Sequence, residues 1–380
     1  MKLVFAPDSF KGSLSALEAA RLLDSAARAC FGGEIETLLI PMADGGEGTA
    51  EALCTALGGE MRCCSVTGPL GEPVQARWAM LPDGTAVVEM AQAAGLPQVP
   101  EGKRNPLFTT TRGVGEVMLR ALDEGAKALL IGLGGSATND GGCGMLRALG
   151  ARLTGEDGAE IPEGGVGLEK IAKIDLSGLD GRLKNVPIRA MCDVTNPLLG
   201  PTGATYVYGP QKGADEECLS QLERGMAHYA QVARDTLCRD VASFPGAGAA
   251  GGLGAALHGL LDAQLVKGID ALMEVTHLSE RLENADLCVT GEGCFDEQSV
   301  AFGKVVSGVA KACVKQDVPL LVLAGSIRGG AQALYDLCPR SSLLSIVPGV
   351  VTLEQAMYRA PEYFYDAAVR ALRLWGAGRG

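Results

Sequence analysis

The residues best able to do chemistry lie in short glycine-rich segments. In Ala6-Pro7-Asp8-Ser9-Phe10-Lys11-Gly12-Ser13 a lysine sits in a turn between an apolar run and a helical pattern. Its ammonium could meet a phosphate or carboxylate, and a helix N-terminus beside it favours the same anions. A polar turn with a solvated lysine fits these residues too. In Met42-Ala43-Asp44-Gly45-Gly46-Glu47-Gly48-Thr49 two carboxylates flank a double glycine at a helix start. They could hold Mg²⁺, directly or through water. They could equally be caps, Asp44 at the N-cap and Glu47 three residues on, although capping gives no reason for the glycines.

The run Gly132-Leu133-Gly134-Gly135-Ser136-Ala137-Thr138-Asn139-Asp140-Gly141-Gly142 surrounds hydroxyl, amide and carboxylate groups with glycine. Exposed backbone N–H groups can cradle an anion while the side chains orient it. In Cys192-Asp193-Val194-Thr195-Asn196-Pro197, Asp193 ends an apolar run, where a general base would reach a substrate hydroxyl; an Asx turn before Asn196-Pro197 is the plainer alternative. Gly246-Ala247-Gly248-Ala249-Ala250-Gly251 is a literal G-x-G-x-x-G with Asp270 downstream, but Arg239-Asp240-Val241-Ala242-Ser243-Phe244 makes a poor strand ahead of it. Finally, Thr290-Gly291-Glu292-Gly293-Cys294-Phe295-Asp296-Glu297-Gln298-Ser299, ending at Gly303-Lys304, offers acids for a metal and a lysine for a phosphate on one strand, turn and helix. No G-x-x-x-x-G-K-[ST] loop and no protein-kinase signature occurs. His228, His258 and His277 lie outside all of these segments, which argues against a histidine base or a zinc site.

Such segments need a frame. Apolar runs at 3–6, 35–40, 128–133, 188–192, 287–290 and 320–323 read as buried strands alternating with helices. Ser15-Ala16-Leu17-Glu18 predicts a capping box for a helix to about residue 29. The pattern predicts an α/β fold in which ligands gather beyond the carboxyl ends of parallel strands. Residues 74–79 and 86–89, joined through Asp83-Gly84, read instead as an antiparallel hairpin. Two domains are expected: a discontinuous Rossmann-like parallel-sheet domain from 1–65 and 285–380, and an inserted mixed α/β domain at 66–284.

Composition agrees with this α/β organisation. The 380 residues suit two domains, 47% are hydrophobic and only 4% aromatic, so the cores must be aliphatic. The net charge of −12 comes with no basic block, which argues against a nucleic-acid partner. No apolar run reaches the ~18 residues of a membrane span. Twelve cysteines without a Cys-x-x-Cys pair suit a reducing, cytoplasmic setting.

Taken in order, Ala6-Pro7-Asp8-Ser9-Phe10-Lys11-Gly12, Asp44-Gly45-Gly46-Glu47-Gly48, Gly134-Gly135-Ser136-Ala137-Thr138-Asn139-Asp140-Gly141-Gly142, Cys192-Asp193-Val194-Thr195-Asn196-Pro197-Leu198, Gly209-Pro210-Gln211-Lys212-Gly213 and Gly291-Glu292-Gly293 resemble the bacterial glycerate kinase family, the type without a P-loop. The resemblance covers nearly the whole chain. It implies two α/β domains with a site between them, ATP with Mg²⁺ as phosphate donor, and D-glycerate as acceptor, giving 2-phospho-D-glycerate. It departs at Cys294, where an arginine is expected, and by one extra residue before Gly303.

On that footing Asp193 would accept the glycerate hydroxyl proton, and Lys11 and Lys304 would offset charge on the transferring phosphate. Asp44 and Asp296 would hold Mg²⁺. Gly134, Gly135, Ser136, Thr138, Asn139 and Asp140, with Gly291, Glu292 and Gly293, would bind the cofactor; the first loop could instead take the glycerate carboxylate. Two other readings stay open: a regulatory relative with weak turnover, motivated by Cys294, and a nicotinamide-dependent oxidoreductase using the loop at 246–251.

Overall fold

The computed structural model describes residues 1–43, 45–301 and 304–378. Its described strands are β1 (Lys2–Phe5), β2 (Glu36–Leu39), β3 (Glu60–Thr67), β4 (Pro73–Met80), β5 (Thr85–Glu89), β6 (Ala128–Gly132), β7 (Arg152–Thr154), β8 (Lys173–Asp175), β9 (Ile188–Met191), β10 (Gln264–Val266), β11 (Leu287–Phe295), β12 (Leu320–Ile327) and β13 (Ser341–Ser345). The fold is α/β, and the chain divides into two compact units. One comprises Met1–Asp44, Glu51–Gly58 and Ile269–Gly380; the other comprises Gly45–Ala50 and Gly59–Gly268.

The first unit is built on a parallel sheet in the order β13-β12-β11-β1-β2. Leu3, Val4 and Phe5 of β1 are all fully buried, as expected of a parallel strand covered on both faces. The helix Ala16–Phe31 opens with the predicted capping box: Glu18 N–H donates to Ser15 Oγ, and Ser15 N–H donates to Glu18 Oε2. Its small buried residues Ala19, Ala26 and Ala27 share a core with Phe364, Ala368 and Leu372 of the helix Ala360–Ala377. Phe10 stacks edge-on against Phe364 at 5.2 Å between ring centroids, which anchors the turn carrying Lys11.

One expectation is corrected here. Gly291-Glu292-Gly293 is not a turn but the middle of β11, in register with β12 through Gly291↔Leu323, Glu292↔Ala324 and Phe295↔Ile327. Glycine is needed at 291 because a Cβ there would lie 2.3 Å from the Leu323 carbonyl oxygen.

The second unit carries a mixed sheet in the order β10-β9-β6-β5-β4-β3. The four strands from β10 to β5 run parallel, while β4 and β3 are antiparallel additions. Asp83-Gly84 closes the β4–β5 hairpin, with Thr85 N–H donating to Asp83 Oδ1. The core is aliphatic around the fully buried Trp78 and Tyr229. The divide differs from the expected 66–284. β3 pairs with β4 along its whole length, from Glu60↔Met80 to Thr67↔Pro73, so it cannot be split from that sheet. Beyond Gly268 the chain joins the first unit, where Ile269 packs on Gly308.

Backbone-to-backbone packing generates a stability prediction. Gly251 has φ +67°, and a Cβ on it would stand 2.0 Å from the Thr138 carbonyl oxygen. Gly251→Ala should destabilise the fold by roughly 2 kcal/mol or more. Gly102→Ala, with open space around its Cβ, should stay within about 0.5 kcal/mol of the parent. Urea unfolding of both variants tests this, and equal midpoints would remove the packing argument.

Candidate active site

In the first unit the turn after β1 lies along the end of β11. Asp8 N–H donates to the Gly291 carbonyl at 2.9 Å. Gly293 passes so close to Phe10 and Lys11 that a Cβ on it would be 3.3 Å from Phe10 Cα. This brings two of the sequence segments together. Lys11 and Lys304 are both exposed, and Lys304 stands at the N-cap of the helix Val305–Lys315. Both act electrostatically on the buried acid of this unit, Glu292. It is 8% exposed, and its Oε1 is buried without a hydrogen-bond partner. Burial raises the Glu292 carboxyl pKa above its ordinary value, against the pull of a Ser299 hydrogen bond and the fields of Lys304 and Lys11.

Asp296 is committed to a local task. Its Oδ1 accepts from Gln298 N–H at 2.9 Å and Ser299 N–H at 3.2 Å, and so caps the short helix Glu297–Ala301. Asp44, the other expected metal ligand, lies outside the described residues. No group of three or more His, Cys, Asp or Glu side chains is placed to hold a metal among the described residues. Mg²⁺ does not require one, since it keeps several waters and is commonly held by one or two carboxylates with phosphate oxygens.

In the second unit four of the glycine-rich segments converge at the carboxyl ends of the parallel strands. The turn at 45–48 packs on the end of β6: a Cβ on Gly132 would be 2.3 Å from the Gly45 carbonyl oxygen. The 134–142 loop follows β6, and Asp193 follows the neighbouring strand β9. Asp193 is exposed, and its Oδ1 accepts from Gly268 N–H at 2.9 Å, which orients the carboxylate. The loop at 246–252 packs against 138–141 and 192–197. No strand precedes it, and its glycines are accounted for by these contacts, so it lacks the frame of a dinucleotide fingerprint.

Within the 134–142 loop, Gly134 is half-buried, Gly135 exposed, and Ser136 at 8% exposure is the last residue before the interior. Ser136 Oγ accepts from Thr138 N–H at 3.2 Å. Asn139 Nδ2 donates to Thr205 Oγ1 at 3.2 Å, while its Oδ1 is buried with no partner. Asp140 faces inward. It accepts from Thr111 N–H and Oγ–H, Gly142 N–H and Gly144 N–H, so its carboxylate shapes the loop from beneath. Burial raises its pKa in spite of these donors.

Two residues escaped the sequence reading of the site. Glu89, 3% exposed at the end of β5, accepts from Ala50 N–H at 2.7 Å and Gly48 N–H at 3.2 Å. It thereby holds the 45–48 turn, a task that the capping alternative gave to Asp44 and Glu47. The described helix starts only at Thr49, beyond both of those acids. Desolvation raises the Glu89 pKa. Lys212 is the second, buried under the 134–142 loop with its Nζ on the Thr138 carbonyl at 2.6 Å. A signal existed for each: an acid closing an apolar strand, and a lysine inside Gly-Pro-Gln-Lys-Gly. His228 and His258 bond the carbonyls of Ile171 and Ala263, in keeping with packing roles.

Known proteins match this arrangement over its whole length. A family model described as the glycerate kinase family matches residues 3–376. A glycerate kinase of Bacillus subtilis (strain 168) is 51% identical over 369 residues, covering 97% of this chain and 96% of the relative. A glycerate 2-kinase of Escherichia coli (strain K12) is 46% identical over 374 residues, covering 98% and 96% respectively. A crystal structure from Salmonella typhimurium LT2, named for glycerate kinase 2, superposes with a TM-score of 0.88 at 43% identity, over 100% of this chain and 99% of that one. The chain belongs to the glycerate kinase family, and it is a kinase.

Proposed function

We propose that the chain transfers the γ-phosphoryl group of ATP to the 2-hydroxyl of D-glycerate. The observation that carries this is the pairing of β6 with β9, which sets the 136–139 loop and Asp193 on neighbouring strand ends. A three-carbon hydroxy acid needs its carboxylate bound and its hydroxyl deprotonated within a few ångströms, and these groups suit that task. The 2-position follows the name of the Escherichia coli relative.

Phosphoryl transfer asks mainly for positioning and charge neutralisation. Asp193, oriented by Gly268 N–H, takes the proton as the glycerate oxygen attacks phosphorus and ADP departs. Lys11 and Lys304 offset the charge on the phosphate oxygens. Glu292, with its unpartnered Oε1, and Asp296 offer the hard oxygen donors that suit Mg²⁺, and Asp44 is a further candidate. When bound, that ion supplies further neutralisation of the triphosphate. We read the setting as cytoplasmic from the twelve cysteines, none of them in a disulfide among the described residues; separately, no described helix is long and apolar enough to cross a membrane.

Asp193→Asn tests the assignment of the base. In a coupled assay for ADP release, kcat should fall by about 10²–10⁴ with the unfolding midpoint unchanged; a kcat close to that of the parent would exclude Asp193. The same assay separates an active kinase from a regulatory relative, which would release no ADP with D-glycerate.

Glu292→Gln gives a second, opposed pair of outcomes. A carboxyl whose folded pKa is raised adds stability that is full at low pH and is lost as pH rises through that pKa. The variant should therefore be more stable than the parent at about pH 7.5, with the gap closing as pH falls to about 4.5, the ordinary glutamate value. Its kcat/KM should fall at least about tenfold. Thermal unfolding at the two pH values, with kinetics beside it, checks both; a variant less stable at neutral pH would mean that Glu292 is a structural anchor.

A further inference from the structure

In the first unit the Lys11 turn has an apolar neighbour that none of the roles above uses. The chain leaves β13 at the carboxyl end of the sheet, where Ile346 N–H donates to the Ala324 carbonyl of β12 at 2.9 Å. All strands of this sheet run parallel, so the Lys11 turn leaves β1 at the same end. The segment after β13 reaches that turn. A Cβ on Gly12 would stand 2.8 Å from Met357 Cε, so the methionine side chain lies against the backbone next to Lys11. On its other side the turn runs along β11, where a Cβ on Gly293 would be 3.4 Å from Lys11 N.

The helix Leu353–Tyr358 is held by a capping box and not by a core. Gln355 N–H donates to Thr352 Oγ1 at 3.2 Å, and Thr352 N–H donates to Gln355 Oε1 at 3.3 Å. None of its six side chains is buried. Leu353 is 75% exposed, and Met357, one turn further on, continues the same face to Gly12. Val350, just ahead of the helix, is fully exposed, and Tyr358 at its end is 87% exposed. A single exposed leucine is ordinary, but a cluster of apolar side chains on a fixed element marks a binding surface. Thr352 and Gln355 are committed to each other, so the surface itself is aliphatic and thioether, and it ends at the turn that carries Lys11.

We infer that this surface, from Val350 through Leu353 to Met357, receives the purine ring of ATP. This rests on the ATP reading above, in which Lys11 meets the phosphates. A ligand lying here must be apolar at one end and anionic at the other, and a nucleoside triphosphate has that build. The ring would be held by apolar contact, as small-molecule sites commonly do. A second copy of the chain suits the surface less well. A stable protein interface takes about 20–30 residues a side, and Val350, Leu353, Met357 and Tyr358 fall well short of that.

Photolabelling of the full chain, with Mg²⁺ and ATP carrying a photoreactive azide on its purine ring, tests the placement without any variant. The label should fall in the tryptic peptide 341–359, which contains no internal Lys or Arg. An excess of the non-hydrolysable analogue AMP-PNP should prevent it. Label confined to other peptides would overturn the inference. Isothermal titration then separates the ring from the phosphates. The double variant Val350→Ser, Leu353→Ser changes only exposed side chains, so the fold should stand. It should bind AMP-PNP about tenfold or more weakly, yet bind inorganic tripolyphosphate within about twofold of the parent. Undiminished AMP-PNP affinity would overturn the inference, and so would an equal loss for both ligands. An oligomeric parent that the double variant turns monomeric, with AMP-PNP affinity unchanged, would assign the surface to a second copy instead. A parent that neither binds AMP-PNP nor turns over ATP would bring down the ATP reading, and the inference with it.

Discussion

The carbonyl of Thr138 is the point on which the second unit's site depends. Lys212 donates to it from beneath, and Gly251 lies so close that no side chain fits between. These contacts fix a loop that has no regular hydrogen-bonded ladder of its own. Asp140 adds a second restraint through four donors drawn from Thr111, Gly142 and Gly144. The glycines here serve close packing of loop on loop at the ends of parallel strands, where α/β proteins bind ligands. The product is a loop fixed from beneath with Ser136 at the edge of solvent; in the function proposed it is part of the positioning that phosphoryl transfer needs.

The first unit solves a different problem, the burial of a charge. Glu292 sits in a strand rather than in a mobile turn, so its carboxylate is held rigidly at the cost of desolvation. The unmatched Oε1 and the exposed Lys11 and Lys304 near it describe a place that is poorly satisfied on its own. In the function proposed, a metal–phosphate group would complete it. The departure at Cys294 falls in this strand, where Cys294 pairs in register with Ser326.

Much of this was legible in the sequence where the signal is local. Apolar runs marked β1, β6, β9, β11 and β12, and the Ser15 capping box and the Asp83-Gly84 hairpin turn formed as read. Strands without an apolar run escaped: β13 is Ser341-Ser342-Leu343-Leu344-Ser345, and β7, β8 and β10 span three residues each. Gly291 and Gly293 were read as a turn because glycine usually marks one; their cause is the approach of Leu323 and Phe10, which no local window contains. Lys212 and Glu89 were hidden for the same reason. Their partners lie 74 and about 40 residues away, and a buried lysine looks in sequence like any solvated one.

Family membership rests on the whole chain, while the chemistry proposed rests on Asp193 beside the Ser136–Asn139 loop. The product decides that claim most directly. With ATP and D-glycerate as substrates, phosphorus NMR of the reaction mixture should show a new phosphomonoester coupled to the single C2 proton. Coupling to the C3 protons, or no phosphoglycerate at all, would contradict it.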